Sequence, residues 1–267
     1  MKSISAIVCV LFIALSLPLR AGDDFCGNGI KNHAFQAGES ITFRVYYTLA
    51  GVYISAGEAT FTVALEDLNG KPVYHVTGSG KNYSFLDNFF KVRDKYESFI
   101  DTSNLQPLKF IRNVSEGGFK KYENISFNKT ANTAITNSGV FKTPECVQDV
   151  LSTMYYARNI DYDKMQPGDK IPFSMFLDNQ VYDLYIRFIG KEIIKTKYGK
   201  FHAIKIKPLL IKGTIFEGGE KMTVWVSDDA NHIPVRVESP ISVGSVKVDM
   251  MDFRNRRAPL SSLISLR

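Results

Sequence analysis

The chain has 267 residues, of which 45% are hydrophobic, and this is enough to bury a sizeable core. Its formal net charge is +6, with 33 lysines and arginines scattered among 27 acidic residues. Nucleic-acid binding needs a concentrated basic patch, so the charge pattern argues against that class of protein. The one local basic cluster, the tail RNRRAPLSSLISLR, is explained more simply by a solvated terminus than by a membrane contact.

The first residues predict a leader for export. Lys2 is followed by an apolar stretch from about Ile4 to Leu17 and by the small residues Ala21 and Gly22, which is typical of a secretory signal peptide. The stretch is short for a membrane span, and an uncleaved anchor is the alternative. We expect residues 1–21 to be removed and residues 22–267 to form a single β-rich domain. That mature chain is expected to be soluble in the periplasm, with no transmembrane segment.

Most of the chain after residue 38 alternates apolar and polar residues, the mark of half-buried antiparallel strands. The first predicted hairpin turns at Gly51 and pairs Phe43 with Ala59 and Ile41 with Phe61, because a slip of one residue would send the apolar sets to opposite faces. Further strands are predicted at residues 72–80, 92–101, 107–115, 119–128, 133–137, 169–177, 181–195, 200–211, 220–227, 234–238 and 243–253. The pattern predicts an all-β fold of about 12 strands, either an antiparallel barrel or a strongly curved half-barrel sheet.

One segment, TPECVQDVLSTMYYARNI, has helical periodicity instead. Thr143 can cap a helix, and Pro144 suits its first position. An apolar stripe follows at helical spacing, formed by Val147, Val150, Leu151, Met154 and Tyr155. This predicts one α-helix over about residues 144–158 that packs on the sheet, and a shorter helical turn is predicted at residues 84–90.

The string Ala-Gly-Glu occurs twice, ending at Glu39 and at Glu58. In the predicted hairpin Glu39 lies opposite Val63, about 17 Å from Glu58 along the strand and on the other face. Paired glycosidase carboxylates are only ~5 to 10 Å apart, so the two glutamates cannot cooperate. No lysine and hydroxyl pair follows, as a nucleotide-binding loop requires. We interpret Gly38 and Gly57 as turn or bulge residues and the repeat as strand punctuation.

The sequence shows no motif for catalysis or metal binding. Each of the four histidines, His33, His75, His202 and His232, lacks the spacing of a metal ligand. No nucleophile elbow or reactive cysteine signature occurs, and Asp228-Asp229 suits a hairpin turn better than a calcium loop. We therefore expect no cofactor, no metal and no enzymatic activity, although a triad assembled from distant residues is the open alternative.

Two cysteines, Cys26 and Cys146, remain in the mature chain. A disulfide between them can persist in an exported protein. It would close a loop of about 120 residues and stabilise the fold by ~4 to 5 kcal/mol on the chain-entropy model. Two buried free thiols are the alternative.

The 19 phenylalanines and 13 tyrosines predict a large apolar inner face. A sheet that curls on itself either fills its interior with side chains or leaves a cavity, and closed barrels of this size can house a ligand. The residues expected to line such a cavity are Phe43, Tyr47, Phe61, Phe110, Tyr182, Phe188 and Trp225. We expect a non-catalytic envelope protein that binds or carries a hydrophobic, lipid-like ligand in this cavity. The alternative is a structural or interaction scaffold that contacts another envelope protein and has no small-molecule ligand.

Four strings together resemble a known family. They are F-x-A-G-E-x-I-x-F-x-V with the second A-G-E, P-x-C-x-x-D-V-L-S-x-x-Y-Y-x-R at residues 144–158, Y-G-K-F-H-A at residues 198–203 and V-W-V-S-D-D-x-x-x-I-P-V-R at residues 224–236. The chain resembles, over nearly its whole mature length, the bacterial exported-protein family called domain of unknown function 3108. This resemblance implies a periplasmic β-rich protein. The last string, with Gly244 and the next strand, is also similar to the closing hairpins of lipoprotein-carrier proteins, which are half-barrels with an apolar cavity for acyl chains.

Overall fold

Residues 30–49, 52–211, 218–241 and 244–267 are described by the structure, a computed structural model. Within these residues one antiparallel sheet contains 15 strands. The first half contributes β1 (Ser40–Leu49), β2 (Val52–Leu68), β3 (Lys71–Asn82), β4 (Arg93–Asp101), β5 (Pro107–Glu116), β6 (Phe119–Asn128), β7 (Thr133–Thr136) and β8 (Gly139–Lys142). The second half contributes β9 (Lys170–Leu177), β10 (Gln180–Lys195), β11 (Gly199–Pro208), β12 (Thr223–Ser227), β13 (Pro234–Pro240), β14 (Ser245–Arg254) and β15 (Leu263–Leu266).

The predicted all-β class is confirmed, and the predicted number of about 12 strands is too low. The strands for which no segment was predicted are β8 and β15, and each has only four residues, which is too short for alternation to stand out. The strand order is β8-β7-β6-β5-β4-β3-β2-β1-β14-β13-β12-β11-β10-β9, with β15 paired to β11. Each half is therefore a meander, the halves join at β1 and β14, and β8 and β9 are the two edges.

The first hairpin has the predicted register. Phe43 pairs with Ala59 and Ile41 with Phe61, while the predicted turn residue Gly51 lies outside the described residues. Gly38 has a φ of +85°. A Cβ at Gly57 would lie 2.3 Å from the carbonyl oxygen of Lys81, next to a register shift in the hairpin. Both Ala-Gly-Glu glycines thus occupy positions that suit glycine.

The sheet curls until its two edges approach one another. The ring of Phe176 in β9 contacts the rings of Phe127 in β6 and Phe141 in β8, with centroids 6.2 and 5.8 Å apart. No ladder joins β8 to β9 in the described sheet. Instead Gln148 bridges to the edge strand: its backbone N donates to Ser174 O at 2.9 Å and its O accepts from Phe176 N at 2.9 Å. The barrel is therefore strongly curved but open along a seam beside β9.

The α-helix, α1 (Val150–Ala157), begins six residues later than predicted. Asp149 caps it, accepting a hydrogen bond from Ser152 N, while Ser152 Oγ accepts from Asp149 N, both at 2.8 Å. The preceding residue, Gln148, is held extended by its pairing with β9. Edge pairing and the capping box therefore override the weaker start signals at Thr143 and Pro144. The predicted turn at residues 84–90 is confirmed as a 3₁₀ turn over Ser84–Leu86.

The main core lies between the two halves of the sheet and contains α1. Leu151, Tyr155 and Tyr156 of the helix pack there with apolar side chains from both halves, among them Val63, Val76, Ile100, Phe173, Leu184, Phe188, Ile204 and Val226. The helix thus occupies the space that a hollow barrel would leave open. No helix within the described residues is long and apolar enough to cross a bilayer.

Candidate functional site

Arg158, the residue that follows α1, has its guanidinium group buried in the core. Its Nη1 and Nη2 donate to the two carboxylate oxygens of Glu39 at 2.6 and 2.8 Å. Nη2 also donates to Ala34 O at 3.2 Å and Nε to Asn231 O at 3.0 Å. The guanidinium lies over the rings of Phe35 and Tyr155, 5.5 and 5.2 Å from their centroids. Every nitrogen of the guanidinium is therefore hydrogen-bonded in a dry environment.

The Glu39–Arg158 pair is buried on both sides, with side-chain exposures of 1% and 4%. Burial by itself lowers the pKa of Arg158, but the Glu39 carboxylate more than offsets this effect, and the pKa is raised. Arg158 is thus charged in the folded protein. Removing one partner of such a pair leaves an uncompensated buried charge, which costs about 3 to 5 kcal/mol.

Two neighbours extend this network. Asn159 Oδ1 accepts from His33 N at 2.7 Å and from Ala34 N at 3.2 Å. His232 Nδ1 donates to Arg158 O at 2.7 Å, and burial lowers the pKa of His232, which favours the neutral ring. The network therefore joins the segment before β1, the end of α1 and the turn before β13. Three of the four family-like strings meet here, at Glu39, Arg158 and His232.

A groove of about 700 Å³ opens at the seam, between the chain that follows α1 and the start of edge strand β9. We call it the seam groove. Its lining residues are Ile30, Asn159, Ile160, Asp161, Met165, Gly168, Asp169, Lys170 and Ile171. The apolar members among them also pack against the main core. The groove is therefore a continuation of the core to the surface.

The lining of the seam groove has an apolar floor and a charged rim. Ile171 is buried and Met165 half-buried, whereas Asp161, Asp169 and Lys170 are exposed. The Lys170 Nζ lies 4.2 Å from the centroid of the Tyr185 ring. Ligand pockets commonly measure about 300 to 1,000 Å³ and combine apolar walls with a few polar groups. The groove thus suits a molecule with an apolar chain and a polar head.

The cavity beside α1 inside the sheet is much smaller. It measures about 20 Å³ and is lined by Ile41, Phe43, Phe61, Met154, Tyr155, Arg158 and Pro234. A cavity needs about 10 to 15 Å³ to hold one water molecule. This cavity therefore has no room for an acyl chain.

The seven residues predicted to line a cavity are distributed over separate clusters. Phe43 and Trp225 share one cluster, Phe110 belongs to a second, and Phe188 belongs to the main core. Phe61 packs against two of these clusters, while Tyr182 and Tyr47 are half-buried. The lining of the seam groove contains none of the seven. Its own residues lie mostly in loops, where alternation gives no signal.

A second polar cluster lies at the start of α1. Asp149 is fully buried and accepts a hydrogen bond from Ser98 Oγ at 2.6 Å; burial raises the pKa of its carboxyl to about 6. Among the described residues, neither amide atom of the buried Gln148 has a hydrogen-bond partner. Burial lowers the pKa of nearby Lys129 to about 8, although the Asp149 carboxylate acts in the opposite direction.

Other sequence-predicted site residues have the following surroundings. Among the described residues no group of three or more histidines, cysteines and acids could hold a metal ion. His75 lies between Glu66 and Glu97, at 2.8 and 3.1 Å, an arrangement across neighbouring strands that sequence spacing does not reveal. Cys146 is disulfide-bonded, whereas Cys26 and the predicted signal peptide lie outside the described residues. The Cys26–Cys146 pairing stays a prediction.

The sequence profile of a family described as "Protein of unknown function (DUF3108)" matches residues 42–251. The match covers well over half of the chain, which therefore belongs to this family. No curated protein matches the chain in sequence.

Solved structures with a similar shape have very different sequences. A β-barrel-like protein of domain of unknown function DUF1849 from Brucella abortus has a TM-score of 0.56 at 8% identity, covering 82% of this chain and 98% of its own. A Bacteroides fragilis protein, provisionally described as exported with a YmcC-like fold, has a TM-score of 0.35 at 15% identity, with coverages of 83% and 100%. A Parabacteroides distasonis protein, provisionally described as a lipoprotein, has a TM-score of 0.36 at 13% identity. The match covers 85% of this chain and 98% of the other. The Brucella structure supports the curved barrel-like fold.

Proposed function

We propose that this member of the DUF3108 family is a non-catalytic protein of the bacterial envelope that binds a hydrophobic, lipid-like ligand in the seam groove. The observation that carries the proposal is the groove itself, about 700 Å³ of space with four apolar side chains that continue the core to the surface. In this proposal the ligand lies at the open seam of the sheet, where the groove is found. The sequence had suggested the centre of the barrel, which α1 fills.

The apolar floor of the groove can supply the binding energy. Burial of apolar surface contributes ~25 cal/mol per Å², so an acyl segment that buries roughly 200 Å² gains about 5 kcal/mol before the entropic costs of binding. The charged rim is suited to a polar head group, because Asp161, Asp169 and Lys170 are exposed at its edge. A single-chain amphiphile fits this division of the lining best.

The buried charge network holds one wall of the groove in place. Asn159 lines the groove and also binds the backbone of His33 and Ala34, and its neighbour Arg158 is fixed by Glu39. Because these contacts are made by residues of the chain itself, they fix the wall and preorganise it. Preorganisation reduces the entropic cost of binding.

Native mass spectrometry of the protein purified from its own envelope tests the proposal. We expect a co-purifying lipid and, after delipidation, binding of a fluorescent fatty acid. Ile160→Glu places a charge on the half-buried wall of the groove and should weaken probe binding at least about tenfold. The matched control Ile193→Glu changes an exposed isoleucine of β10 and should leave binding unchanged. Equal binding by the two variants, or no lipid and no probe binding, would refute the proposal.

A second candidate is an interaction scaffold without a small-molecule ligand. It is favoured by the filled interior, where the cavity beside α1 measures only about 20 Å³. This candidate requires that no lipid co-purifies and that the wild-type protein does not bind the fatty acid. The same native mass spectra therefore separate the two functions.

A further inference from the structure

One end of the sheet exposes a group of large apolar side chains. They belong to the β1–β2 tip, the β3–β4 loop and the β5–β6 turn, and we call them the aromatic end. Its members, with their exposures, are Val52 (62%), Tyr53 (61%), Phe85 (59%), Phe89 (85%), Phe90 (48%) and Phe119 (50%). Single exposed apolar residues are ordinary on protein surfaces, whereas a group of this size marks an interaction site.

Backbone contacts bring the three segments together. The β3–β4 loop starts beside β2, where Tyr83 N donates to Ala56 O at 2.9 Å, and it returns beside the β5–β6 turn, where Gly117 N donates to Lys91 O at 2.9 Å. The Phe90 ring lies against Gly117, where a Cβ would be 2.1 Å from it. Strand β2 continues five residues beyond the Gly57–Asn82 pair, roughly 17 Å at ~3.3 Å per residue. The Val52 end of β2 therefore extends beyond the last β2–β3 pair, at the same end of the sheet as the β3–β4 loop.

The loop that carries Phe85 and Phe89 is fixed by side chains at both of its ends. Asn82 donates to Phe90 O at 2.8 Å and accepts from Val92 N at 2.9 Å. Arg93 binds the carboxylate of Asp87 at 2.7 and 3.2 Å. The phenylalanines are thus held out from the surface by an ordered turn, and their exposure is a property of the fold.

The aromatic end also carries unpaired positive charge. Lys81, Lys91 and Lys120 are exposed, and none forms an ion pair with the described residues. The other cations nearby are matched, as in the ion pairs Arg93–Asp87, Lys95–Glu97 and Lys121–Glu123.

Acidic side chains also lie at this end, and Glu58 is directly opposite Lys81 in the pairing of β2 with β3. Glu58 accepts a hydrogen bond from Tyr83 Oη at 3.0 Å, and Asp94 accepts one from Ser115 N at 2.9 Å. Burial and the neighbouring Asp94 carboxylate raise the pKa of Glu116 to about 7. Glu116 is therefore partly protonated near neutral pH, which leaves the surface more positive than its residue count suggests.

We propose that the aromatic end docks on an anionic lipid surface, with Phe85, Phe89 and Tyr53 entering the interface and the three lysines facing the lipid head groups. Exposed aromatic side chains next to basic ones are the combination that binds membrane interfaces. The exposed phenylalanines of the β3–β4 loop and the exposed Val52 end of β2 suit insertion into a deformable surface. This site is distinct from the seam groove and does not depend on the proposed ligand.

Vesicle flotation measures this docking directly. We expect the exported protein to float with phosphatidylcholine vesicles that contain phosphatidylglycerol, and to float poorly with phosphatidylcholine alone. Phe85→Ser/Phe89→Ser removes the two most protruding rings of the loop and should weaken binding at least about tenfold. Lys81→Gln/Lys91→Gln/Lys120→Gln should weaken it roughly fivefold per lysine, and added salt should abolish the difference.

The matched control is Leu65→Ser/Leu266→Ser. These leucines are 59% and 66% exposed, and they lie on β2 and β15 outside the aromatic end. The control should bind vesicles like the wild type, and circular dichroism should show the same thermal midpoint for all variants. Ile160→Glu should also bind normally, which separates this test from that of the seam groove. The proposal is overturned if the wild type floats with neither kind of vesicle, or if it floats equally with and without phosphatidylglycerol. It is also overturned if the phenylalanine variant floats as well as the control.

Discussion

The two ends of α1 handle buried charge in opposite ways. At the carboxyl end, Arg158 and Glu39 form a bidentate ion pair, and every guanidinium nitrogen donates a hydrogen bond. At the amino end, Asp149 is equally buried, but its hydrogen-bond partners are the neutral groups of Ser98 and Ser152. At the carboxyl end the interaction with Glu39 keeps the pKa of Arg158 raised, whereas at the amino end burial raises the pKa of Asp149 to about 6.

This difference separates two uses of polar groups in one core. The Arg158 end is fully satisfied and ties together segments 119 residues apart, so it fixes the fold next to the seam groove. The Asp149 end lies beside Gln148, whose side-chain amide has no hydrogen-bond partner among the described residues. The burial of this amide therefore retains an energetic cost in the folded state. We therefore expect substitutions at the first end to destabilise and substitutions at the second to stabilise.

Arg158→Met should have the largest effect. It leaves the Glu39 carboxylate buried without a counter-charge, and the free energy of unfolding should fall by about 3 to 5 kcal/mol. Urea denaturation at neutral pH measures this change. The control is Arg254→Met, because Arg254 forms an exposed ion pair with Asp252, in which the two side chains are 80% and 51% exposed. Loss of such a pair should lower the free energy of unfolding by less than about 1 kcal/mol. Similar losses of unfolding free energy in Arg158→Met and Arg254→Met would show that the buried pair contributes no more than an exposed one, contrary to this prediction.

The pH dependence of stability should report Asp149. Its pKa is raised from 3.8 in the unfolded chain to about 6 in the folded protein, so the folded state binds the additional proton between these values. The contribution of Asp149 to stability is therefore present below about pH 4 and is lost as the pH rises through about 6. Asp149→Asn keeps a capping oxygen and cannot ionise.

Urea midpoints of the wild type and Asp149→Asn at several pH values isolate this contribution. From pH 4 to pH 7 the stability difference should shift by about 2 to 3 kcal/mol in favour of Asp149→Asn. Other titrating groups cancel in the difference. A constant difference across this range would mean that the pKa of Asp149 is the same in the folded and the unfolded chain, and it would contradict the contrast between the two ends.

Gln148→Met should have the smallest effect. The side chains are similar in volume, and the substitution removes a buried amide without partners, so the free energy of unfolding should rise by about 1 kcal/mol. Thermal unfolding measures it, with the exposed Gln180→Met as the control. A clear loss of stability in Gln148→Met alone would show that the amide forms a hydrogen bond in solution.

The strand pairing was predictable because alternation has only two phases. Once Ile41 and Phe43 face the core and the turn is placed at Gly51, their partners in β2 are Phe61 and Ala59. The start of α1 was not predictable in the same way. The helix signals at Pro144 compete with the pairing of Gln148 to an edge strand that lies far away in sequence.

The site was harder to predict than the fold. Alternation places Glu39 on a face but does not reveal that Arg158 lies there too, so its Ala-Gly-Glu string was interpreted only as punctuation. The available signal was that two of the family-like strings each place a charged residue, Glu39 or Arg158, beside an apolar run. The seam groove gave none, because Ile160 and Met165 lie in a connecting segment without periodicity and join Ile171 only in the folded chain.

Photo-cross-linking tests the central claim, that a hydrophobic ligand lies in the seam groove, most directly. A fatty acid that carries a diazirine would be bound to the purified protein and activated by light, and the labelled residues identified by mass spectrometry. We expect label on Ile160, Met165 or Ile171, and unlabelled fatty acid should compete with this labelling. Label on interior residues such as Phe61 and Leu151, or no competed label at all, would contradict it.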